Sequence, residues 1–187
     1  MAYEMRDQFG EKVELHDLQN KGFWCDHGLS KELVFVEKIG SKMGVILNPE
    51  KEHSPYVPDL LQTHNNQIAD LKTQNTPLFQ AQERYGISPQ FAVTFNLKDY
   101  ERYSRLYKDI AIFFCVEWLA TSFISSSGKQ TTVEPMKGVW WTELARIHDL
   151  VKTSPVHSYR QRVNDTKGNA KASYVFNLQS SHFTRLI

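Results

Sequence analysis

The run IAIFFCVEW, at 110–118, constrains the fold more than any other stretch of this sequence. It is too continuously apolar for one face of an amphipathic helix, so it predicts a central strand that is covered on both faces. Before it, Asn96 is placed to cap the helical segment KDYERYSRLYK, in which Tyr100, Tyr103 and Tyr107 recur at helical spacing. A helix that leads into a buried strand indicates an α/β fold with a mixed central sheet flanked by helices.

The remaining segments extend this α/β architecture in both directions. We predict a short helix from Ser30 with a glycine stop at Gly40, strands within 42–49 and 86–96, a polar loop or hairpin at 121–135, a helix over 138–152 with Trp140, Leu144, Ile147 and Val151 on one stripe, and a closing hairpin from 156–163 and 172–178. Within the first helix, the apolar residues LVFV fit a strand equally well.

The length of 187 residues and the hydrophobic content of 41% suit one well-filled core, so we expect a single domain over 1–187. Its core covers about 30–118, with an N-terminal extension at 1–29 and a C-terminal helix and basic hairpin within 119–187. No apolar run reaches the roughly 18 residues of a membrane span, and the N terminus is too polar for a signal peptide. Two cysteines, Cys25 and Cys115, fit reduced thiols, and we expect a cytoplasmic protein without a membrane partner.

Charge is distributed unevenly along the chain, although the formal net charge is only +1. Residues 152–187 carry six basic side chains and one acid, or +5, while the other 151 residues carry 16 basic and 20 acidic side chains, or −4. Four cations of the closing hairpin are candidates for phosphate contacts along a DNA backbone: Arg160, Arg162, Lys167 and Lys171. A solvated loop whose charges prevent aggregation remains the alternative.

The stretch VPDLLQTHNNQIADLKTQN, at 57–75, predicts a strand pair with an acidic residue on each side of a polar turn. A turn at His64-Asn65 places Asp59 opposite Asp70, whereas a turn at Asn65-Asn66 places Asp59 opposite Lys72. Either even register leaves the three charged side chains on one face of the pair. The structural alternative is that Asp59 caps a turn and that Asp70 and Lys72 form the exposed polar face of an edge strand. The flanking LLQ and QIA instead indicate a half-buried pair, in which an unpaired charge is costly.

Two converging carboxylates, with the backbone carbonyl of Leu71 between Asp70 and Lys72, form an oxygen-rich pocket suited to Mg²⁺. A bound Mg²⁺ polarises a phosphodiester and lowers the pKa of water, while the Lys72 ammonium orients that water or stabilises charge on phosphorus. We therefore expect Asp59 and Asp70 to bind metal and Lys72 to support the rate.

This spacing resembles the PD-(D/E)xK nuclease superfamily, with Pro58-Asp59 as the first half of the motif and Asp70-Leu71-Lys72 as the second. The resemblance covers about 30–118 and implies a restriction-endonuclease-like α-β-β-β-α-β core, relative to which the strand FAVTFN is an insertion. It also implies a helix carboxylate among the metal ligands, for which Glu32 is preferred over Glu37. Gln74 matches the polar residue that often follows the lysine and would contact DNA.

The function implied by this resemblance is a metal-dependent DNA endonuclease that hydrolyses phosphodiester bonds with metal-activated water, using Mg²⁺ or Mn²⁺. Cutting both strands usually needs two active sites, so a homodimer or a larger nucleoprotein complex is expected. The alternative is a catalytically inactive module with the same fold that binds DNA or assembles into a complex, and a protein-interaction domain is a third reading.

Other chemistries have weaker signals. A zinc site built from Cys25, His27 and His16 lacks the usual paired spacing of ligands. The serines at 125–127 stand in no nucleophile-elbow motif, and the sequence has no GxxxxGK phosphate loop. Trp140 and Trp141 fit a place in the hydrophobic core and in the layer that covers it better than a role in stacking on nucleic-acid bases.

Overall fold

The computed structural model describes residues 3–13, 31–54, 56–158 and 172–187. The strands are β1 (Glu4–Arg6), β2 (Val45–Leu47), β3 (Leu60–Gln62), β4 (Gln67–Gln74), β5 (Ala92–Asn96), β6 (Ala111–Glu117), β7 (Ser122–Ile124), β8 (Gln130–Thr132), β9 (Lys137–Glu143), β10 (Val156–Ser158), β11 (Ala172–Asn177) and β12 (Thr184–Arg185). The helices are α1 (31–43), α2 (Ala81–Tyr85), α3 (Leu97–Leu106) and α4 (His148–Thr153), and 3₁₀ turns occupy Pro49–Glu52 and Leu144–Ile147.

A six-stranded mixed sheet in the order β12-β9-β6-β4-β3-β2 forms the centre of the fold. Strands β4 and β6 run parallel, and the other neighbouring strands of this sheet are antiparallel. Two three-stranded sheets, β1-β7-β8 and β10-β11-β5, accompany it. The predicted α/β class and mixed sheet are therefore confirmed.

Strand β6 lies inside this sheet and is buried on both faces, as its continuous apolar run predicts. Ile112 and Phe114 pack into one hydrophobic cluster with Phe95 and Trp140. Phe113 belongs to a second cluster on the other face of the sheet. Because both faces are covered, the strand needs apolar side chains at every position and shows no alternation.

The first helix is confirmed, but its predicted end at Gly40 is wrong. Gly40 has helical dihedrals, with φ −58° and ψ −41°, and the helix continues to a left-handed glycine at Gly44, with φ 62°. Gly40 instead allows close packing, because a Cβ on it would lie 2.5 Å from the carbonyl oxygen of Val45. A glycine is thus needed here by contact rather than by dihedral angle.

The helix predicted over 138–152 is also wrong in its first half. Residues Lys137–Glu143 form β9, which pairs with β6, and helical structure begins only at Leu144. The four residues of the predicted stripe are nevertheless all buried, at 8% exposure or less: Trp140, Leu144, Ile147 and Val151. Their burial was predicted correctly, but it is achieved by the strand β9, a 3₁₀ turn and the short helix α4 in succession.

Several local predictions are confirmed. Residues 121–135 contain the β7–β8 hairpin, and Asn96 Oδ1 caps α3 by accepting from the Lys98 N–H at 2.9 Å. Strands β10 and β11 pair antiparallel as the stem of the closing hairpin. Its tip, with Arg160, Arg162, Lys167 and Lys171, lies outside the described residues, as do Cys25, His27 and His16.

None of the helices within the described part of the chain combines the length and apolarity that a membrane crossing requires.

Candidate active site

The β3–β4 hairpin adopts one of the two predicted registers. Leu60 pairs with Ala69 and Gln62 with Gln67, which centres the turn on His64-Asn65. The register that would place Asp59 opposite Lys72 is therefore excluded. Continuing the observed pairing by one residue places Asp59, which directly precedes β3, opposite Asp70.

Asp70 is the most deeply buried acid of this region, at 2% exposure. Its Oδ2 lies 2.7 Å from Lys72 Nζ, but this oxygen receives no hydrogen bond of good geometry from the described residues. Burial raises the pKa of Asp70 above its ordinary value of 3.8, Lys72 counteracts this rise, and the nearby Asp59 and Asp99 add to it. Asp70 thus has spare acceptor capacity in a site from which water is largely excluded.

Lys72 is held between two carboxylates and two aromatic rings. Its Nζ lies 2.7 Å from Asp70 Oδ2 and 2.7 Å from Asp99 Oδ2. The same ammonium lies 5.8 Å from the ring centroid of Phe95 and 5.6 Å from that of Tyr103. Burial acts to lower the pKa of Lys72, but the surrounding negative charge outweighs it and raises the pKa well above 10.5. Lys72 is therefore a fixed cation.

Asp59 reaches the backbone of β4 beyond the end of β3. Its Oδ2 accepts a long hydrogen bond of 3.4 Å from the Leu71 N–H. In an antiparallel ladder the N–H and C=O of one residue point to the same side, so the Leu71 carbonyl also faces the Pro58-Asp59 segment. The register places Pro58 opposite Leu71, and proline has no N–H to offer that carbonyl. The Leu71 oxygen is thereby left as a potential ligand beside the two carboxylates.

Asn48, the residue after β2, fixes the Pro58-Asp59 segment. Its Nδ2 donates to the Pro58 carbonyl at 2.9 Å, and its backbone N–H donates to the Asp59 carbonyl at 2.9 Å. Its Oδ1 accepts from the Glu50 N–H at 3.1 Å and caps the 3₁₀ turn Pro49–Glu52. One buried side chain thus positions both Asp59 and the turn that carries Lys51.

Lys51 joins two of the predicted metal ligands. Its Nζ lies 2.9 Å from Glu32 Oε2 and 3.0 Å from Glu32 Oε1, and it also hydrogen bonds to Asp59 Oδ1. Burial acts to lower the pKa of Lys51, but Asp59 and Glu32 together raise it above 10.5. The structure places Glu32 beside Asp59, whereas the second candidate, Glu37, is exposed.

These contacts form two neighbouring chains of ion pairs, which together we call the charge row: Glu32, Lys51 and Asp59 in the first, and Asp70, Lys72, Asp99 and Arg102 in the second. Negative and positive groups alternate along it except at one step. Asp59 is followed directly by Asp70, and none of the described lysines or arginines contacts both. This step is the position in the charge row where a further cation would fit.

The far end of the charge row is a polar cluster on α3. Arg102 Nη2 donates to Asp99 Oδ1 at 3.0 Å and to Tyr103 Oη at 3.0 Å. Burial raises the pKa of Tyr103, which is 1% exposed. The cluster fixes Asp99, and Asp99 fixes Lys72.

Gln74 has a structural set of contacts. Its Oε1 accepts from the Thr94 N–H at 3.0 Å, and its Nε2 donates to the carbonyls of Thr76 at 3.1 Å and Ala92 at 3.3 Å. Gln74 therefore ties β4 to β5 and the second sheet, and a DNA contact by this side chain stays a prediction.

Sequence reasoning missed four members of this site: Asn48, Lys51, Asp99 and Arg102. Asn48 is followed by proline, a pattern that indicates the end of a strand, and Lys51 lies in the polar stretch PEKEH. Asp99 lies in the segment KDYERYSRLYK, for which the sequence predicts only a helix that packs through its tyrosines. The pair Asn48-Pro49, a capping residue followed by proline, is the signal in the sequence that could have indicated an ordered turn here.

The oxygens of this site fit Mg²⁺ in part. Asp59, Asp70 and the Leu71 carbonyl supply hard oxygen donors, and Mg²⁺ in proteins is commonly held by one or two carboxylates and several waters. The buried Asp70 Oδ2, whose 2.7 Å contact with Lys72 Nζ lacks hydrogen-bond geometry, is the observation that favours a cation. Within the described ranges, no three His, Cys, Asp or Glu side chains are grouped as ligands of one ion, and Glu32 is paired with Lys51. Comparison of the chain with protein-family models, curated proteins and solved structures finds no match.

Proposed function

We propose that this chain is a Mg²⁺-dependent DNA endonuclease of the PD-(D/E)xK type, in which Mn²⁺ can replace Mg²⁺. The observation that carries the proposal is the convergence of Asp59 and Asp70 beside Lys72, with a buried oxygen of Asp70 that lacks a hydrogen bond. The order of α1, β2, β3, β4, α3 and β6 along the chain supports the proposal, with α2 and β5 inserted between β4 and α3.

In this proposal, Asp59, Asp70 and the Leu71 carbonyl hold one divalent cation. When bound, the cation polarises a phosphodiester oxygen and makes water more acidic. Asp70 presents Oδ2 from a rigid strand, flanked by β3 and β6, so the position of this carboxylate changes little when a ligand arrives. Asp59 is held by the contacts that Asn48 makes with its backbone.

Lys72 contributes a positive charge that does not depend on the cation. Its ammonium is a hydrogen-bond donor next to Asp70, where it can orient the attacking water or stabilise negative charge that develops on the phosphate. Asp99 and the rings of Phe95 and Tyr103 keep the ammonium in place and charged. The pairing with Asp99 also restricts its rotation, which favours a defined position in the transition state.

DNA is proposed as the substrate on the basis of the superfamily resemblance and the basic C-terminal region. The cations Arg160, Arg162, Lys167 and Lys171 would contact phosphates without reading sequence. Because β11 pairs with β10 on one side and with β5 on the other, the stem of this hairpin belongs to the same sheet that Gln74 ties to β4.

A second candidate function, an inactive DNA-binding or assembly module, is favoured by one specific observation. Each carboxylate of the charge row already has a lysine partner: Lys51 pairs with Glu32 and Asp59, and Lys72 pairs with Asp70 and Asp99. If these lysine–carboxylate pairs are more stable than contacts between the same carboxylates and a metal ion, the chain keeps its fold but does not bind metal. Calorimetric titration with Mg²⁺ or Mn²⁺ separates the two candidates, because only the nuclease binds an ion in a manner that depends on Asp70.

The decisive experiment is incubation of the chain with plasmid and branched DNA in Mg²⁺, Mn²⁺ or EDTA. We expect cleavage in either metal, none in EDTA, and a large loss of rate in Lys72→Ala. Lys137→Ala is the matched control. Lys137 also forms a lysine–carboxylate pair, with Glu117 at 2.8 Å, but this pair lies at the start of β9 and is exposed. Circular dichroism confirms that each variant is folded. Cleavage by Lys72→Ala at the native rate would overturn the role given to Lys72.

A further inference from the structure

Lys51 is placed as a built-in cation rather than as a surface lysine. Its side chain is 24% exposed, and its two carboxylate partners are 13% exposed at Glu32 and 16% exposed at Asp59. Surface lysine pairs elsewhere in the chain are far more open, such as Lys137 with 69% of its side chain exposed. A lysine that loses this much water and mobility needs compensating contacts, and three hydrogen bonds to two carboxylates supply them.

The backbone that carries Lys51 is fixed to the same element as Asp59. Asn48 caps the turn Pro49–Glu52 and simultaneously bonds to the carbonyls of Pro58 and Asp59. Movement of Lys51 relative to Asp59 would therefore break contacts of a buried asparagine. This coupling distinguishes Lys51 from a flexible side chain that lies beside an acid by chance.

Two neighbouring cation positions follow from the charge row. The first lies between Glu32 and Asp59 and contains the Lys51 ammonium. The second lies between Asp59 and Asp70, where Asp70 Oδ2 contacts the Lys72 ammonium at 2.7 Å without hydrogen-bond geometry and Asp59 Oδ2 accepts only a long bond of 3.4 Å, from the Leu71 N–H. Asp59 is common to both positions, so a cation in either one reduces the repulsion felt by the other carboxylates.

We propose that the site takes a single divalent cation, between Asp59 and Asp70, and that the Lys51 ammonium occupies the place a second divalent cation would take. This inference rests on the proposed function and specifies its metal requirement. Glu32 then acts as a positioning residue that holds Lys51, in place of the ligand role that the superfamily resemblance implies for it. The ammonium adds a positive charge next to Asp59, on the side of that carboxylate away from Leu71.

The test is the number of Mn²⁺ ions bound per chain, measured by calorimetry and by electron paramagnetic resonance of Mn²⁺. We expect one ion in the native chain and two in Lys51→Met, because the variant leaves Glu32 and Asp59 facing each other without a cation. Lys51→Arg keeps the charge and is expected to bind one ion. Glu32→Gln is also expected to bind one ion, since Glu32 is not a ligand in this assignment. Lys137→Met is the matched control, and thermal unfolding verifies that each variant is folded.

The outcomes separate this inference from the proposed function. One ion in both the native chain and Lys51→Met, with the same Kd, overturns the role of Lys51 and leaves the nuclease proposal standing. Two ions in the native chain also overturn it. If neither protein binds Mn²⁺, both proposals fall. Should Lys51→Met turn out unstable, loss of the ion in Glu32→Gln would by itself overturn the inference, and retention of one ion would support it.

Discussion

Asn48 and Pro58 are joined by a hydrogen bond of 2.9 Å from Nδ2 to the carbonyl oxygen, and this contact lies just beyond the last pair of the β3–β4 ladder. Pro58 brings no N–H to the position opposite Leu71, and its own carbonyl is taken by Asn48. The Leu71 N–H therefore donates to the Asp59 carboxylate instead of to a backbone carbonyl of the opposite strand.

Replacing Asn48 with alanine should destabilise the chain and weaken metal binding together. The substitution leaves the buried Pro58 carbonyl without its donor and removes the cap of Pro49–Glu52, which we expect to cost about 1–3 kcal/mol in the free energy of unfolding. Urea unfolding measures this loss, and Mn²⁺ titration measures the affinity.

Asn96→Ala is the matched control for Asn48→Ala. Asn96 also accepts from the N–H two residues ahead, at 2.9 Å, but its cap serves α3 and its side chain is less buried. We expect a loss of about 1 kcal/mol without a change in Mn²⁺ affinity. Equal effects of the two variants on Mn²⁺ affinity would contradict a specific role for Asn48.

Asp99→Asn should slow cleavage while leaving the metal bound. The substitution removes one of the two carboxylates that hold Lys72, and Asp99 is among the groups that raise the pKa of Lys72, so that pKa should fall. A hydrogen bond to a charged group contributes about 1.5–3 kcal/mol, which corresponds to a rate loss of about tenfold or more. Single-turnover cleavage at saturating Mg²⁺ provides the rate, and Mn²⁺ titration the affinity.

Asp149→Asn provides the comparison for Asp99→Asn, because Asp149 pairs with Lys152 at 2.7 Å on the exposed helix α4. It should cleave like the native chain. A native rate for Asp99→Asn as well would show that Lys72 needs no second carboxylate.

The buried Asp70 predicts an unusual dependence of stability on pH. Burial raises its pKa in the folded chain above 3.8, so between 3.8 and the raised value the folded chain binds more protons than the unfolded chain. The free energy of unfolding contributed by this group therefore falls as pH rises through that window, by at most about 1.4 kcal/mol per pH unit.

Asp70→Asn lacks this titration and serves as the reference. Urea unfolding of both proteins, from pH 3.8 to neutral pH, should show the stability of the native chain relative to the variant decreasing as pH rises. A relative stability that is constant or rises with pH would show that burial does not dominate the pKa of Asp70.

Gly40→Ala distinguishes helix propensity from packing. Alanine is favoured over glycine within a helix by about 1 kcal/mol, which alone predicts a more stable chain. Here the added Cβ would lie 2.5 Å from the Val45 carbonyl oxygen, so we expect a loss of about 1–3 kcal/mol in the free energy of unfolding. Thermal and urea unfolding measure the change.

Lys38→Ala, at an exposed position of the same helix, is the control for Gly40→Ala and should change stability little. If the Gly40→Ala chain were as stable as the native one, α1 could move away from β2 without a loss in the free energy of unfolding.

The hairpin that carries Asp59 and Asp70 could be predicted from sequence because it depends on local rules. The period of two residues and the polar turn fix which side chains share a face. Lys51 and Asp99 could not be found in this way, since they reach Asp59 and Lys72 from segments that are distant in the chain. Their role depends on tertiary packing that no short pattern encodes.

Strand β9 shows why buried positions were easier to predict than the element that contains them. Trp140 and Leu144 are four residues apart, a spacing typical of a helix, and both are buried. A strand covered on both faces has no alternation to identify it, because Val139 and Trp140 enter different hydrophobic clusters on opposite faces of the sheet. Pairing with β6 outweighs the helical spacing.

The parallel pairing of β4 with β6 has a consequence for how the chain folds. Residues Ala69 and Ala111 can meet only after the intervening segment has crossed over, whereas β3 and β4 are neighbours along the chain. Closing a long loop before its contacts form is slow, so the hairpin should form before its parallel partner docks. Asp59 and Asp70 would then approach each other while still hydrated, and their mutual repulsion would grow only at the late step that excludes solvent.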